Sequence, residues 1–168
     1  MMLCSMAAFL KRRMENAMHY NYLSDQNAAQ YISYLKKAIA EEPNMMWIEQ
    51  VDEAAIHKRV GDPFYQNTKS ILAFDGESVV GRIEYHFYGC LQDGYRMAYV
   101  DWVYVLPQYR HQGIAQQLFK EFEKDCKVNQ INQYYLIRAS IPGADMFYHS
   151  FENAELDDEP VLRKTIIE

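Results

Sequence analysis

The stretch from Tyr99 to Phe122 constrains the fold more than any other part of the chain. In AYVDWVYV, Ala98 to Val105, apolar and aromatic residues are almost continuous and Asp101 is the only charge. A run this rich in β-branched and ring side chains suits an internal strand covered on both faces. Pro107 breaks the ladder, and beyond Arg110-His111-Gln112-Gly113 the apolar residues Ile114, Ala115, Leu118, Phe119, Phe122 and Cys126 recur at helical spacing. The first turn of such a helix has N–H groups without internal partners and the positive end of the macrodipole, so it attracts anions. Gly113 and Ala115 keep bulky side chains away from those amides, and Arg110 adds a charge-assisted donor at the mouth. The loop therefore reads as a diphosphate cradle. The plainer alternative is a strand-to-helix connection whose glycine only permits tight packing.

Ahead of this stretch, His19 to Leu23 is short and aromatic and suits an edge strand, with Ser24 and Asp25 offering a helix cap. Ala28, Ile32, Leu35 and Ile39 recur at helical spacing until Glu41-Glu42-Pro43 ends the run. Val51, Ala54 and Ala55 suggest a second helix. The flanking Met45, Met46, Trp47, Phe64 and Tyr65 either line a pocket or, more commonly for such residues, close over the core. From Ser70 the period becomes two: Ile71–Phe74 and Val79–Tyr88 flank Asp75-Gly76, a hairpin signal. In the second of these strands Gly81, Ile83, Tyr85 and Phe87 alternate with Arg82, Glu84, His86 and Tyr88, giving one buried and one polar face. After a turn at Gly89–Gly94 the central strand follows antiparallel.

Beyond the central helix, Tyr134–Ala139 is a second apolar run, reached by a βαβ crossover that makes the pair parallel. Pro142 suits the first turn of a further helix with Ala144, Phe147, Tyr148 and Phe151 on one face, and Val161–Ile167 reads as a last strand. The expected fold is α/β (α+β): a mixed, mostly antiparallel sheet of six to seven strands with helices on both faces. Residues 18–168 read as one domain behind a loosely held extension, 1–17, and Met1, Met14 and Met18 are all candidate starts.

At 168 residues the chain is long enough to bury a substantial core. Its net charge of -6, with no basic stripe, argues against nucleic-acid binding. Cys4, Cys90 and Cys126 are widely separated without Cys-x-x-Cys spacing, which fits a reducing cytosol rather than zinc or a disulfide framework. The apolar N-terminal run is ten residues long and is followed by Lys11-Arg12-Arg13, the reverse of a secretory signal and too short for a membrane span. Histidine pairs at ligand spacing, a Gly-x-Ser-x-Gly elbow, and the Gly-x-x-x-x-Gly-Lys and Gly-x-Gly-x-x-Gly loops are all missing, so neither a metal nor nucleotide hydrolysis is expected.

From about His19 onward the sequence resembles the GNAT superfamily of N-acetyltransferases. DGESVVGRIEY is similar to that family's second and third strands, VDWVYVLPQYRHQGIA to its central strand and acetyl-CoA loop, and ADMFYHSF to the helix carrying its tyrosine. The resemblance implies a splayed parallel strand pair and a pantetheine arm paired to the backbone at Val103, Tyr104 and Val105. It also implies a pyrophosphate held by Arg110 and the amides of His111, Gln112, Gly113, Ile114 and Ala115. Ile141 replaces an asparagine common in relatives, and Glu152-Asn153 replaces a glycine-aromatic pair.

The implied activity is acetyl transfer from acetyl-CoA to an amine of a small molecule, peptide or protein, by direct attack in a ternary complex. A non-catalytic acyl-CoA-binding sensor is the alternative, and a monomer or homodimer is expected. An amine of pKa near 10.4 costs about 4.6 kcal/mol to deprotonate at pH 7, so a base is useful. Asp101 is the first candidate, expected to be buried on the same side as Tyr99, Val103 and Val105; Glu84 is the second, acting through a water. Against these roles, Asp101 reads equally as a buried carboxylate satisfied by amides or by Arg82 or Arg138, and Glu84 as a solvated residue. Tyr148, four residues after Ala144, stands where the family's tyrosine stands and would protonate or hydrogen-bond the departing thiolate. A backbone N–H near Val103 or Tyr104 would stabilise the oxyanion.

Overall fold

The computed structural model describes residues 18–45, 48–139, 141–157 and 160–166. The chain divides into two units, Met1–Leu136 and Ile137–Glu168. In the first, β1 (His19–Tyr22) leads to α1 (Ala28–Glu41) and α2 (Glu53–Val60), followed by β2 (Thr68–Asp75), β3 (Ser78–Gly89) and β4 (Arg96–Val105). Then come α3 (Ile114–Val128) and β5 (Gln133–Leu136). The sheet runs β1-β2-β3-β4-β5, antiparallel except for the parallel β4–β5 pair.

Local chemistry accounts for these elements. Tyr31, Ile32, Leu35 and Ala38 form the buried stripe of α1, and the residue after its C-cap is Pro43, which cannot continue the helix. The start of α1 differs from expectation. Neither Ser24 nor Asp25 caps it; Asn27 is the N-cap, and its Oδ1 accepts from the Ser24 amide at 2.9 Å while its Nδ2 donates to the Tyr22 carbonyl. Gly76, at φ +57°, permits the tight turn between β2 and β3.

Alternation along β3 assigns the two faces of the sheet. Gly81, Ile83 and Tyr85 point to α3: a Cβ on Gly81 would meet Ile114 at 3.3 Å and Leu118 at 3.5 Å, and the Tyr85 and Phe122 rings lie 4.6 Å apart. On that side Tyr85 Oη, Lys69 Nζ and Asn129 Nδ2 all donate to the buried Asp125 carboxylate. The opposite face meets α1, where Arg82 lies over Tyr31 and the buried Tyr34 hydroxyl donates to the Tyr104 carbonyl at 2.9 Å. Tyr34, Tyr85, Phe122, Leu118 and Ile83 are fully buried, each side chain contributing roughly 1.5–3 kcal/mol.

Two expectations are corrected. Among the described residues the sheet has five strands, not six or seven, because residues 160–166 have no regular structure; Ile167 lies outside the described residues. β4 is only partly covered: Arg96 and Asp101 are exposed, and Tyr99, Trp102 and Val103 half-buried. The extension 1–17, Met46 and Trp47 lie outside the described residues. Among the described residues no helix is long and apolar enough to cross a membrane.

In the second unit α4 (Pro142–Tyr148) brings Phe147, Tyr148 and Phe151 into mutual ring contact, and Arg138 bonds Asp145 at 3.1 Å.

Candidate active site

One surplus residue shapes the middle of β4. Tyr85 faces Val100 and Glu84 faces Trp102, which leaves Asp101 without a partner on β3, a β-bulge. Ladder contacts to β5 begin at Met97 and stop at the Val100–Leu136 pair, so Asp101 to Val105 has no strand alongside it on that edge among the described residues. Two carbonyls of this segment are already in use, that of Tyr104 by Tyr34 and that of Val105 by Arg110 Nε at 3.0 Å.

The bulge also corrects the expected arrangement of side chains. Tyr99 pairs with His86 and so lies on the α1 face, whereas Val103 and Val105 pair with Ile83 and Gly81 on the α3 face. Tyr99, Val103 and Val105 therefore do not share a side, because the extra residue reverses the alternation beyond it. Asp101 is exposed rather than buried, and Arg82 forms its ion pair with Glu84 rather than with Asp101.

At the end of β4 a turn of 3-10 helix, Pro107–Tyr109, leads to Gly113, the N-cap of α3, at φ +79°. Nothing lies within 4 Å of where a Cβ on Gly113 would be. The N–H groups of Gly113, Ile114, Ala115 and Gln116 have no acceptor among the described residues. His111 also takes a positive φ, +59°, and His111 and Gln112 are exposed beside these amides. Free donors, the helix dipole and open space combine here as an anion site requires. Arg110 is differently placed from expectation: its guanidinium forms a bidentate pair with Glu42 just past the end of α1, with Nη1 to Oε1 at 3.1 Å, and lies over the Tyr104 ring. The bond to Glu42 keeps Arg110 above its ordinary pKa.

A cavity of about 970 Å³ is lined by β2 and β3 residues, and its walls include Asp101, Glu84 and His86 as well as Lys69 and Asp125 from the α3 side. Glu84 is not a solvated surface residue. Its Oε2 accepts from Ser70 Oγ at 2.6 Å and from Arg82 Nη1 at 3.0 Å. Arg82 is only 8% exposed; its Nη1 also reaches the Tyr31 hydroxyl, while its Nε is buried without a partner. Burial works against the Arg82 charge, but Glu84 and Tyr31 outweigh it and hold the pKa above its ordinary value. His86 Nδ1 lies 2.9 Å from Thr68 Oγ1. Phe64 and Tyr65 line this cavity instead of closing over the core.

Arg59, Arg82, His86 and Ser70 were not singled out from sequence as site residues. A polar row on a strand with neighbours on both sides was the available signal, since such a face must be covered by something. Tyr148 lies in the second unit, half-buried in α4, and burial raises its phenol pKa.

A family model described as an acetyltransferase (GNAT) domain matches residues 6–166. The chain belongs to this family. Acetyl transfer is the general role that membership in the GNAT acetyltransferases supports. No curated protein sequence matches the chain. Among solved structures, a ribosomal-protein-alanine N-acetyltransferase from Brucella melitensis biovar Abortus 2308 shares 17% identity, with a TM-score of 0.68 over 89% of this chain and 100% of that one. An aminoglycoside acetyltransferase from an uncultured soil metagenomic sample, in complex with sisomicin, shares 14% identity, with a TM-score of 0.73 over 90% and 99% of the two chains. A transcriptional regulator from Bacillus halodurans C-125 shares 20% identity, with a TM-score of 0.64 over 87% and 100%. At these identities the likeness shows the fold: the GNAT sheet, with its single parallel pair.

Proposed function

We propose that the protein is an acetyl-CoA-dependent N-acetyltransferase that acetylates a primary amine of a small molecule, peptide or protein by direct attack in a ternary complex, with residues 18–168 working as one catalytic domain. One observation carries this reading. The strand whose edge loses its neighbour after Val100 leads directly into a helix start with four free amides and open space over Gly113. Such a surface suits a ligand with an extended, amide-bearing arm and a diphosphate.

When bound, acetyl-CoA supplies an acetyl group activated as a thioester. The amides of His111 to Ala115 take the diphosphate, and the edge at Val103–Val105 pairs with the amide-bearing arm through the groups that Tyr34 and Arg110 leave unused. A main-chain N–H beyond the bulge stabilises negative charge developing on the acetyl oxygen. Asp101, in the cavity wall with no hydrogen-bond partner among the described residues, accepts the ammonium proton; Glu84, already bonded by Ser70 and Arg82, relays it or orients a water. Tyr148 is assigned the acid role toward the leaving thiolate on its match to the family's tyrosine, and its raised pKa keeps the phenol protonated.

The test is coenzyme A binding by calorimetry together with thiol release from acetyl-CoA over a panel of amines. Binding plus amine-dependent thiol release supports the reading. Binding without release from any amine would favour a sensor, and no binding would overturn both.

A further inference from the structure

Among the described residues, the charges lining the cavity cancel in pairs, with one positive and one negative group left over. Lys69 Nζ bonds Asp125 at 2.9 Å, and Arg82 bonds Glu84 at 3.0 Å. Arg59 on α2 and Asp101 at the bulge also line the cavity, and neither side chain forms an ion pair or hydrogen bond among the described residues. A cavity built for a polycation would carry excess negative charge, whereas this one is balanced, with a free guanidinium on a helix and a free carboxylate on the sheet. Ile56, Val60, Phe64 and Tyr65 supply apolar side chains to the same lining, and Phe64 is 83% exposed. An aromatic ring left this open is suited to covering the apolar body of a ligand.

We propose that the acceptor is a small amine that also carries a carboxylate and an apolar side chain, such as a hydrophobic amino acid, its ammonium against Asp101 and its carboxylate against Arg59. This rests on the reading of the protein as an N-acetyltransferase and narrows the acceptor that reading leaves open. A guanidinium presents paired donors that match a carboxylate, so removing either charge of the ligand forfeits a charge-assisted contact. The neutral sum of the wall disfavours a ligand with several ammonium groups, which would set one of them against Arg59.

Three probes separate these chemistries: L-phenylalanine, phenethylamine, which lacks only the carboxylate, and spermidine. Calorimetry with the full chain in saturating coenzyme A should show phenylalanine binding about tenfold more tightly than phenethylamine, the scale of one charge-assisted contact. Spermidine should bind more weakly still. Arg59→Ala should bring the phenylalanine-to-phenethylamine ratio close to one, and Asp101→Asn should weaken both. Arg59 is exposed and unpaired, so an unchanged melting temperature confirms that its variant is folded. Equal or tighter binding of phenethylamine or spermidine, no binding of phenylalanine, or an unaltered ratio in Arg59→Ala would overturn the inference. Thiol release measured on the same amines keeps the two conclusions apart. Turnover that ignores the carboxylate defeats only the acceptor assignment, whereas selective phenylalanine binding without thiol release from any amine defeats only the transferase reading.

Discussion

Arg110 and Glu42, 68 positions apart in the chain, form a bidentate ion pair that ties the loop before α3 to the residue following α1. The pair sits over the Tyr104 ring, and Tyr104 Oη adds a 2.8 Å bond to the same carboxylate. The arginine expected to help hold a diphosphate thus has a structural partner.

The first prediction concerns that pair and pH. The hydrogen bond from Arg110 lowers the pKa of Glu42 below its ordinary 4.5, so the stabilisation is complete above that value and is lost as pH falls through the lowered one. Both side chains are about a third exposed, so Glu42→Gln should cost about 1 kcal/mol or less at pH 7. Urea midpoints for wild type and variant should converge as pH drops from 5 to 3. A gap independent of pH would show that the carboxylate charge contributes nothing.

Gly113→Ala separates conformation from space. The added methyl meets nothing within 4 Å, but φ +79° is costly for an L-residue, by roughly 1–2 kcal/mol. Thermal unfolding should shift down accordingly. Coenzyme A affinity should fall as well, because the methyl occupies space over the free amides. An affinity loss no larger than that of Gly61→Ala, a glycine with open space but φ −100°, would remove the cradle assignment.

The two carboxylates should fail differently. Asp101→Asn removes a side chain with no partner among the described residues, so stability should hold while kcat falls on the order of 100-fold. Glu84→Gln leaves the buried Arg82 without its counter-charge and should cost about 2–4 kcal/mol in stability. Should Asp101→Asn turn over normally, the base would have to be sought at Glu84 or His86.

Tyr148→Phe should lower kcat roughly 100-fold while changing coenzyme A affinity less than about threefold. Burial raises the phenol pKa, so any alkaline limb from this group should lie above the range of an exposed tyrosine. Matching losses in turnover and affinity would make it a contact residue instead.

Much of the architecture was legible because it is periodic. The apolar spacings of α1 and α3, the Asp75-Gly76 turn and the crossover to β5 are local patterns, and local chemistry decides them. The bulge was not legible: a single inserted residue leaves no trace in composition, yet it decides which way every side chain after it points. Nor could the sequence reveal that Glu42 would occupy Arg110, or that Ser70 and Arg82 would clamp Glu84, since those pairings exist only once distant segments meet. Phe64 and Tyr65 were recognised as unusual on a loop, but only the folded chain shows that they border a cavity.

The extra residue at position 101 lets one ribbon attend to two clients. Were it deleted, Trp102 to Val105 would turn over as a block: the Tyr104 ring would leave Tyr34 and Arg110, and Val105 would leave Gly81. Acceptor-side residues can vary in kind without disturbing the helix start, but the count of residues in this strand cannot, so drift in substrate preference should proceed here by replacement and not by insertion or loss.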